Sequence, residues 1–491
     1  MSVYNNKIVS SCPSLYTYAT FAVSNNIDST ESSKGLDQEI ILNIAKCLKY
    51  LREGYSFEQA LEEKDTEWVK MFYYHNKLKI TKLRSDNKTE LDFAALYGDV
   101  GKISKIFEKD KKLLPNYDTM NLAAQSGNPQ AIAMLHELHQ NLIAMKDEWG
   151  RTAMHSAARS GNPQAIAMLH ELNQNLIAMK DNDGQTAMHF AAQSGNPQAI
   201  AKVHELNPAL ISMKDDDGQT AMHFAASSGN PQAIAKVHEL NPALIAMKDN
   251  YRQTAMHLAA SSGNPDTIAK VHELNPNLIS MKDEWGQTAI HLAARRGNPD
   301  TIAKVHELNP NLISMKDTWG RTAMHYAANS GNPQAIAKVH ELNSALISMK
   351  DDAGQTAMHF AASSGNSQAI AKVHELNPAL IAMKDNDDLT AMHLAAQSRN
   401  IQAITKVHEL NPALISMKNN DGLTAMHLAA QGGNLQAITK VHELNQNLIA
   451  MKDNDGLTAM YFATQSGNPQ AIAKSSLDCK HKNYKHGCNL L

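Results

Sequence analysis

Apolar and polar residues recur along this chain with a period of 34 residues. One copy runs from Asp215 to Lys248 and contains D-D-D-G-Q-T, A-M-H-F-A-A-S-S, G-N-P-Q and A-I-A-K-V-H-E-L in that order. The segment that opens with Thr-Ala begins at ten evenly spaced threonines, from Thr152 to Thr458. A fixed period in this range predicts a solenoid of stacked repeats.

Each repeat is predicted to contain two helices. The first, T-A-M-H-x-A-A-x-S, carries small alanines, and the second, P-Q-A-I-A-K-V-H-E-L, places Ile, Val and Leu on one face. Between them, Gly229 ends one helix, Asn230 caps the next and Pro231 fits its first turn. The next Asn-Pro ends the second helix. The following A-L-I-A-M-K-D-x-x-G is predicted to form an extended arm and a turn.

This repeat resembles the ankyrin repeat, D-x-x-G-x-T-P-L-H-x-A-A-x-x-G, over about four-fifths of the chain, residues 85–474. Here Ala follows Thr where the family has Pro, and the period is 34 rather than 33. The tetratricopeptide repeat also has period 34 but lacks the D-x-x-G-x-T hairpin. The resemblance implies an all-α ankyrin-repeat solenoid of about twelve helix-turn-helix units with hairpin fingers, preceded by a small helical domain. It also implies a protein partner on the concave face.

Two stretches precede the repeats. Residues 1–34 are rich in Ser, Thr, Asn and Tyr without periodicity, which predicts a mobile leader. Residues 35–84 have helical spacing and resemble an F-box, with Asp37 where that family has Pro and Trp68 a few residues late. The F-box resemblance implies docking of a Skp1-type adaptor of a cullin ubiquitin ligase. The docking residues would be Leu36, Glu39, Ile40, Ile41, Ile44 and Leu48. The alternative is a helical cap that seals the first repeat.

The repeats differ from one another mainly around the turn glycine and after the Ala-Ala pair. In the ankyrin fold these positions form the hairpin tips and the exposed side of the first helix. Trp, Tyr and Arg, which are typical of binding hot spots, occur there between about Asp147 and Arg321. We therefore predict a partner-binding surface made of Trp149, Arg151, Arg159, Tyr251, Arg252, Trp285, Arg295, Arg296, Trp319 and Arg321. The alternative is incidental variation among duplicated repeats.

The chain contains 23 histidines, nine in T-A-M-H or T-A-I-H and ten in H-E-L. Equivalent histidines of neighbouring repeats are expected about 10 Å apart, at helix packing distance. Zinc requires ligands about 2 Å from one ion, so a column of these histidines cannot share a metal. We predict structural, hydrogen-bonding histidines and no metal.

Composition and motifs argue against several classes of function. The net charge of -3 and pI of about 6.8 give no general attraction to nucleic acid. The four cysteines form no C-x-x-C pair, and no run of 18 apolar residues exists. No phosphate-binding loop, nucleophile elbow or other catalytic motif occurs. We therefore predict a non-enzymatic protein with no cofactor and no nucleic-acid partner.

The tail, residues 475–491, is basic and ends in Cys-Asn-Leu-Leu. These four residues resemble a C-a-a-X prenylation box, whose final Leu points to geranylgeranyl, although Asn489 is not aliphatic. One lipid anchors weakly, and each lysine near an anionic leaflet adds about 1 kcal/mol. The resemblance predicts a membrane anchor at Cys488. Its supporting residues would be Cys479 as a candidate second lipid site, with Lys480, Lys482 and Lys485.

An F-box-like start, an ankyrin array and a prenylation box together resemble the ankyrin effectors of intracellular bacteria, notably the Legionella type. This resemblance implies secretion by the bacterium into the host cell, residence in the host cytosol and on the cytoplasmic face of host membranes, and a role as substrate adaptor for a host SCF-type ubiquitin ligase. The alternative is a plain ankyrin-repeat scaffold with a helical cap and no link to ubiquitin.

Overall fold

The computed structural model describes residues 90–110 and 115–468, which belong to two compact bodies, Met1–Met145 and Lys146–Leu491. The predicted leader, the F-box-like segment and the tail lie outside the described residues. Within them, 23 α-helices occur without a regular strand, and an isolated bridge joins Lys452 to Thr458. No helix of the described ranges is long and apolar enough to span a bilayer.

The described part of the first body contains two helix pairs and one short 3-10 helix. Its elements are α1 Glu90–Leu96, α2 Val100–Lys109, α3 Tyr117–Ser126, α4 Pro129–Leu138 and the 3-10 helix Gln140–Ala144. Leu91, Ile103 and Met120 are almost fully buried between the helices. The Asn128 side chain caps α4 and donates its amide to the Gly98 carbonyl at 2.8 Å, so the two pairs are joined by a polar bond as well as by packing.

The second body repeats the helix pair nine times and ends with one further described helix. The first helices are α5 Ala153–Arg159, α7 Ala187–Gln193, α9 Ala221–Ser227, α11 Ala255–Ser262, α13 Ala289–Arg296, α15 Ala323–Asn329, α17 Ala357–Ser363, α19 Ala391–Gln397, α21 Ala425–Gln431 and α23 Ala459–Gln465. The second helices are α6 Pro163–Leu172, α8 Pro197–Leu206, α10 Pro231–Leu240, α12 Pro265–Leu274, α14 Pro299–Leu308, α16 Pro333–Leu342, α18 Ser367–Leu376, α20 Ile401–Leu410 and α22 Leu435–Leu444. Each helix packs on its counterpart in the next repeat, so the predicted all-α stack is confirmed.

The junction between the two helices of a repeat follows the predicted capping chemistry. Gly229 has φ 77°, in the left-handed region where glycine is favoured. Asn230 accepts the Gln232 N–H at 2.9 Å, and Pro231 occupies the first position of α10. The Asn230 amide also donates to the Gly195 carbonyl of the preceding repeat at 2.8 Å. The cap residue therefore fixes both the helix start and the contact with a neighbour.

The segment after the second helix is not the extended arm predicted from the sequence. Pro208–Ser212 forms a 3-10 helix that is capped by Asn207. Leu210 and Ile211 are 2% and 5% exposed, so both enter the core. Consecutive residues of an extended strand point to opposite faces, and only a tight helical turn can bury both. Extended backbone begins at Met213, and equivalent 3-10 helices follow the other described second helices of this body.

The hairpin fingers of the second body stack through backbone hydrogen bonds. Within one finger, the Asp215 N–H donates to the Gln219 carbonyl at 3.0 Å and the Gly218 N–H to the Asp215 carbonyl at 3.1 Å. The next finger joins it because the Asn250 N–H donates to the Asp217 carbonyl at 2.9 Å. The same bond recurs between successive fingers, which places all the variable tip residues of this body along one line.

Candidate protein-binding face

In eight repeats of the second body, from Thr152 to Thr390, a buried threonine and histidine hold the first helix to the next finger or to the segment that leads into it. The Thr254 N–H donates to His257 Nδ1 at 3.1 Å, and His257 Nε2 lies 3.3 Å from the Gln287 carbonyl of the next repeat. Because Nδ1 accepts, the proton is on Nε2, which donates to that carbonyl. Burial lowers the pKa of His257 to about 4, so the ring is neutral at pH 7. The line of fingers is thus positioned by a repeated, uncharged bond.

The second histidine column, in H-E-L, does not follow the sequence prediction. Nδ1 is buried without a hydrogen-bond partner among the described residues in His170, His204, His238, His272, His306, His340, His374 and His408. The sequence analysis predicted hydrogen-bonding histidines, and Nδ1 of these residues makes no such bond with the described part of the chain; the residues one turn earlier, such as Ile234 and Ala235, carry no side-chain donor. No group of three His, Cys, Asp or Glu side chains in the described ranges could hold a metal ion.

Trp149 stands at the first finger of the second body with 54% of its surface exposed. The Arg151 guanidinium lies 4.4 Å from the centroid of this indole, a cation–π contact. The same arginine donates from Nε to the Asp147 carboxylate at 2.8 Å. Arg151 is therefore held by two contacts, and it fixes an exposed tryptophan beside it.

Trp319 repeats this arrangement with a different anchor. It is 42% exposed, and the Arg321 guanidinium lies 5.3 Å from its ring and 5.3 Å from the ring of Phe360. Arg321 Nε lies 3.4 Å from the Asp351 carboxylate of the next repeat. Two separate fingers thus present the same pair, an exposed indole and an arginine whose charge already has a partner.

Tyr251 and Trp285, from successive fingers, stack with their ring centroids 5.7 Å apart and an interplanar angle of 19°. Tyr251 is 39% exposed, whereas Trp285 is half-buried. The Tyr251 hydroxyl donates to the Asp217 carboxylate at 3.4 Å, and the negative charge of Asp217 raises the pKa of Tyr251. Trp285 therefore has a structural contact as well as an exposed edge, which its position at a turn did not reveal.

The other predicted arginines lie apart from one another. Arg159 covers the ring of Phe190 at 4.8 Å. Arg295 and Arg296 are exposed in the last turn of α13, where positive charge favours the helix terminus. Arg252 is exposed and has φ 61° at a position that is glycine in most fingers. The ten predicted residues therefore form several groups along the finger line rather than one cluster.

A row of polar side chains behind the fingers was missed at the sequence level. Gln287 Nε2 donates to the Tyr326 hydroxyl at 2.8 Å, and this hydroxyl donates to the Asp317 carboxylate at 2.5 Å. All three residues are buried, and burial raises the pKa of Tyr326. The available signal was the residue after the histidine, which changes from Ser to Phe, Leu or Tyr between repeats.

The residues predicted at the two ends of the chain lie outside the described residues, and their roles stay predictions. They are Leu36, Glu39, Ile40, Ile41, Ile44, Leu48, Cys479, Lys480, Lys482, Lys485 and Cys488.

Comparison with known families supports the interpretation of the repeat. A family model described as ankyrin repeats, three copies, matches residues 120–207, 200–280 and 269–339. No curated protein matches the chain. The helix pairs, caps and fingers continue in the same form beyond the matched residues, as far as α23. Residues 120–339 therefore match ankyrin repeats, and the described residues fold as an ankyrin-type solenoid.

Proposed function

We propose that the fingers of the second body capture a protein partner through Trp149 and Trp319. Ankyrin repeats support a protein–protein interaction scaffold. The observation that carries the proposal is the pair of exposed indoles, 54% and 42%, each beside an arginine fixed by a carboxylate. Trp and Arg dominate binding hot spots, and side chains ordered before binding lose less entropy.

The test is a co-precipitation experiment with the Trp149→Ala, Trp319→Ala double variant. Ala353 occupies the equivalent finger position in this chain, so alanine fits the fold there. We expect recovery of the partner to fall at least about tenfold, since hot-spot truncations cost about 2 kcal/mol or more. Asp421→Ala, at the same position of another finger, is the matched control. Equal recovery with the wild type and the double variant would contradict the proposal.

For the first end of the chain we propose that residues 35–84 recruit a Skp1-type adaptor, which would make the protein an effector that delivers its partner to a host ubiquitin ligase. The support is the F-box resemblance of Leu36, Glu39 and Ile40. Co-precipitation with the adaptor should be lost when these three residues become alanine. If recovery is unchanged, the plain ankyrin scaffold with a helical cap is the better interpretation.

For the other end we propose a lipid anchor at Cys488 that holds the protein on the cytoplasmic face of host membranes. The support is the resemblance of the last four residues to a prenylation box together with the nearby lysines. The anchor requires Leu491 to be the C-terminal residue of the mature chain. Cys488→Ser should move the protein from membranes to the cytosol of eukaryotic cells, and Cys479→Ser should have a smaller effect. An equal distribution of wild type and Cys488→Ser would exclude the anchor.

A further inference from the structure

Asp283 interrupts a pattern of hydrogen bonds behind the fingers. Its Oδ1 accepts the N–H groups of Trp285 at 3.0 Å and Gln287 at 2.8 Å, as in other fingers. The remaining oxygen usually receives a side-chain donor: Gln219 at Asp249, Tyr326 at Asp317, Arg321 at Asp351 and Gln355 at Asp385. Asp283 Oδ2 is buried in a residue that is 2% exposed, and it has no hydrogen-bond partner in the described part of the chain.

Gln287 of the same finger carries a second buried acceptor that has no hydrogen-bond donor. It is 5% exposed, and its Oε1 also has no hydrogen-bond partner among the described residues. Its Nε2 already donates to the Tyr326 hydroxyl, so a flip of the amide would lose that bond. A buried acceptor without a donor costs about 1–3 kcal/mol. The finger is therefore short of hydrogen-bond donors.

Neighbouring side chains do not fill this deficit. Burial raises the pKa of Asp283, and the Gln253 amide and the Arg295 charge act in the opposite direction. A side-chain hydrogen bond from Gln253 is among the influences that lower this pKa, but neither Gln253 nor Arg295 forms a hydrogen bond of good geometry with Asp283 Oδ2. Arg295 is exposed, and Trp285 is only half-buried. The exposed side chains beside the carboxylate are therefore the ones that can rearrange.

The surroundings favour a cationic, planar donor. The stacked rings of Tyr251 and Trp285 belong to this finger and the one before it, and aromatic faces attract cations. The tip positions between the first aspartate and the turn of each finger carry no lysine, although a lysine such as Lys282 precedes each finger. Exposed carboxylates at these tips are Glu148, Asp183, Asp216, Asp217, Glu284, Asp352, Asp387, Asp421 and Asp455.

We propose that Asp283 and Gln287 receive an arginine side chain from the partner protein, with its guanidinium against the Tyr251–Trp285 stack. Arginine presents several N–H donors in a rigid plane and stacks on aromatic rings, whereas lysine is a compact point charge. Trp285 and Arg295 move aside as the guanidinium enters. This inference rests on the proposed function and names the chemistry of the partner, a segment that carries an exposed arginine.

The test uses the full chain and two fluorescein-labelled peptides, one of alternating Gly and Arg and one of alternating Gly and Lys, at physiological salt. The wild type should bind the arginine peptide about tenfold more tightly. Asp283→Asn with Gln287→Leu should abolish this preference. Asp385→Asn is the matched control and should retain it, because its Oδ2 already accepts from Gln355. Equal affinity of the wild type for both peptides, or equal effects of the two Asp→Asn changes, overturns the proposal.

Folding of the test variant has a precedent within the chain. Asn419 and Leu423 occupy the positions equivalent to Asp283 and Gln287, and Asn419 Oδ1 keeps both backbone bonds of its finger. Asp283→Asn alone should raise the midpoint of thermal unfolding, because it removes a buried carboxylate oxygen that has no donor. A lower midpoint would mean that Oδ2 has an internal partner, and the proposal would be wrong.

The outcomes separate this inference from the proposed function. If Trp149→Ala, Trp319→Ala loses the partner while the wild type shows no preference for arginine, only the arginine site is excluded. If the double variant keeps the partner while the arginine preference is present and depends on Asp283, the site stands, but the tryptophan face is not the capture surface.

Discussion

Two regions of the second body share one framework and differ at their fingers. The aromatic half, residues 147–350, carries Trp or Tyr at four fingers, and the acidic half, residues 351–468, carries none. Thr254 and His257 in the first region bond in the same way as Thr356 and His359 in the second. The fold therefore does not require the aromatic fingers, which is the reason for assigning them to binding.

The residues behind the fingers also differ between the aromatic half and the acidic half. The residue before the threonine is Gln or Arg throughout the aromatic half, but it is Leu389, Leu423 and Leu457 in three of the four acidic-half repeats. Leucine cannot donate to the aspartate of the next finger, so the polar row shortens where the aromatic tips end. The residue types at the finger tips and those behind them therefore change at the same place in the chain, as expected for one binding surface rather than for scattered variation.

The largest predicted effect, which would sharpen this comparison, is a loss of folding stability on acidification. Burial lowers the pKa of His189, His257 and His291 to about 4, from an ordinary value of 6.5. Between these values the unfolded chain binds more protons than the folded chain, so stability is lost as the pH falls from 6.5 to 4. Each of these histidines, all in the aromatic half, should account for about 3 kcal/mol.

Urea unfolding at pH 7 and pH 4.5 would measure this loss. The three tryptophans of the described residues lie in the aromatic half, so their fluorescence in a Trp68→Phe background follows that half alone, while circular dichroism follows all helices. The fluorescence midpoint should fall steeply at low pH. A midpoint that does not change with pH would contradict a neutral buried histidine column.

The next largest predicted effect is the loss of stability when a histidine bonded to the threonine is removed, and it should be the same in both halves. His257→Ala and His393→Ala each leave a buried threonine N–H without a partner and remove the bond from Nε2 to a carbonyl oxygen, which should cost about 3 kcal/mol in each case. His238→Ala is the control from the second column and should cost less, because its Nδ1 has no partner to lose among the described residues. Unequal losses in the two halves, measured by urea unfolding, would break the claim of a shared framework.

The smallest effect concerns strained fingers, one in each half. Arg252 and Asp388 have φ 61° and 59° where other fingers have glycine. Arg252→Gly should stabilise the protein by about 1 kcal/mol, and Asp388→Gly by less, because it also removes the ion pair with Lys384 at 2.6 Å. Gly218→Ala is the opposite control and should destabilise the fold. Thermal unfolding that shows Arg252→Gly to be less stable would assign Arg252 a structural contact.

The sequence predicted the parts of the fold that depend on local chemistry. Period, helix pair and caps follow from residues close in the chain, as at Asn230. The 3-10 turn at Pro208–Ser212 was missed because it depends on burying Leu210 and Ile211 against the helices. The Tyr251–Trp285 stack was also missed, since it joins residues one repeat apart.

The candidate site was predictable only in part, for a related reason. Trp149 and Trp319 were identified from residue type and exposure at a turn, because a side chain at a finger tip can be predicted to be exposed without knowing its neighbours. The deficit at Asp283 depends on whether a glutamine from the preceding finger makes a hydrogen bond of good geometry with one carboxylate oxygen, which residue type and position do not reveal. Gln219 and Gln253 are the same residue at the same position, and only the first makes this bond.

The bond from a cap asparagine to the glycine carbonyl of the preceding repeat occurs with the same residue types at six of the nine described junctions of the second body, as in Asn230 to Gly195 and Asn264 to Gly229. Removal of one whole 34-residue block leaves a junction of the same chemistry as the one it replaces. Trp149 and Tyr251 are three periods apart, and each period spans about 10 Å. The number of repeats between them therefore sets the distance between these contact points. Duplication or loss of a repeat can change that distance while the fold is kept.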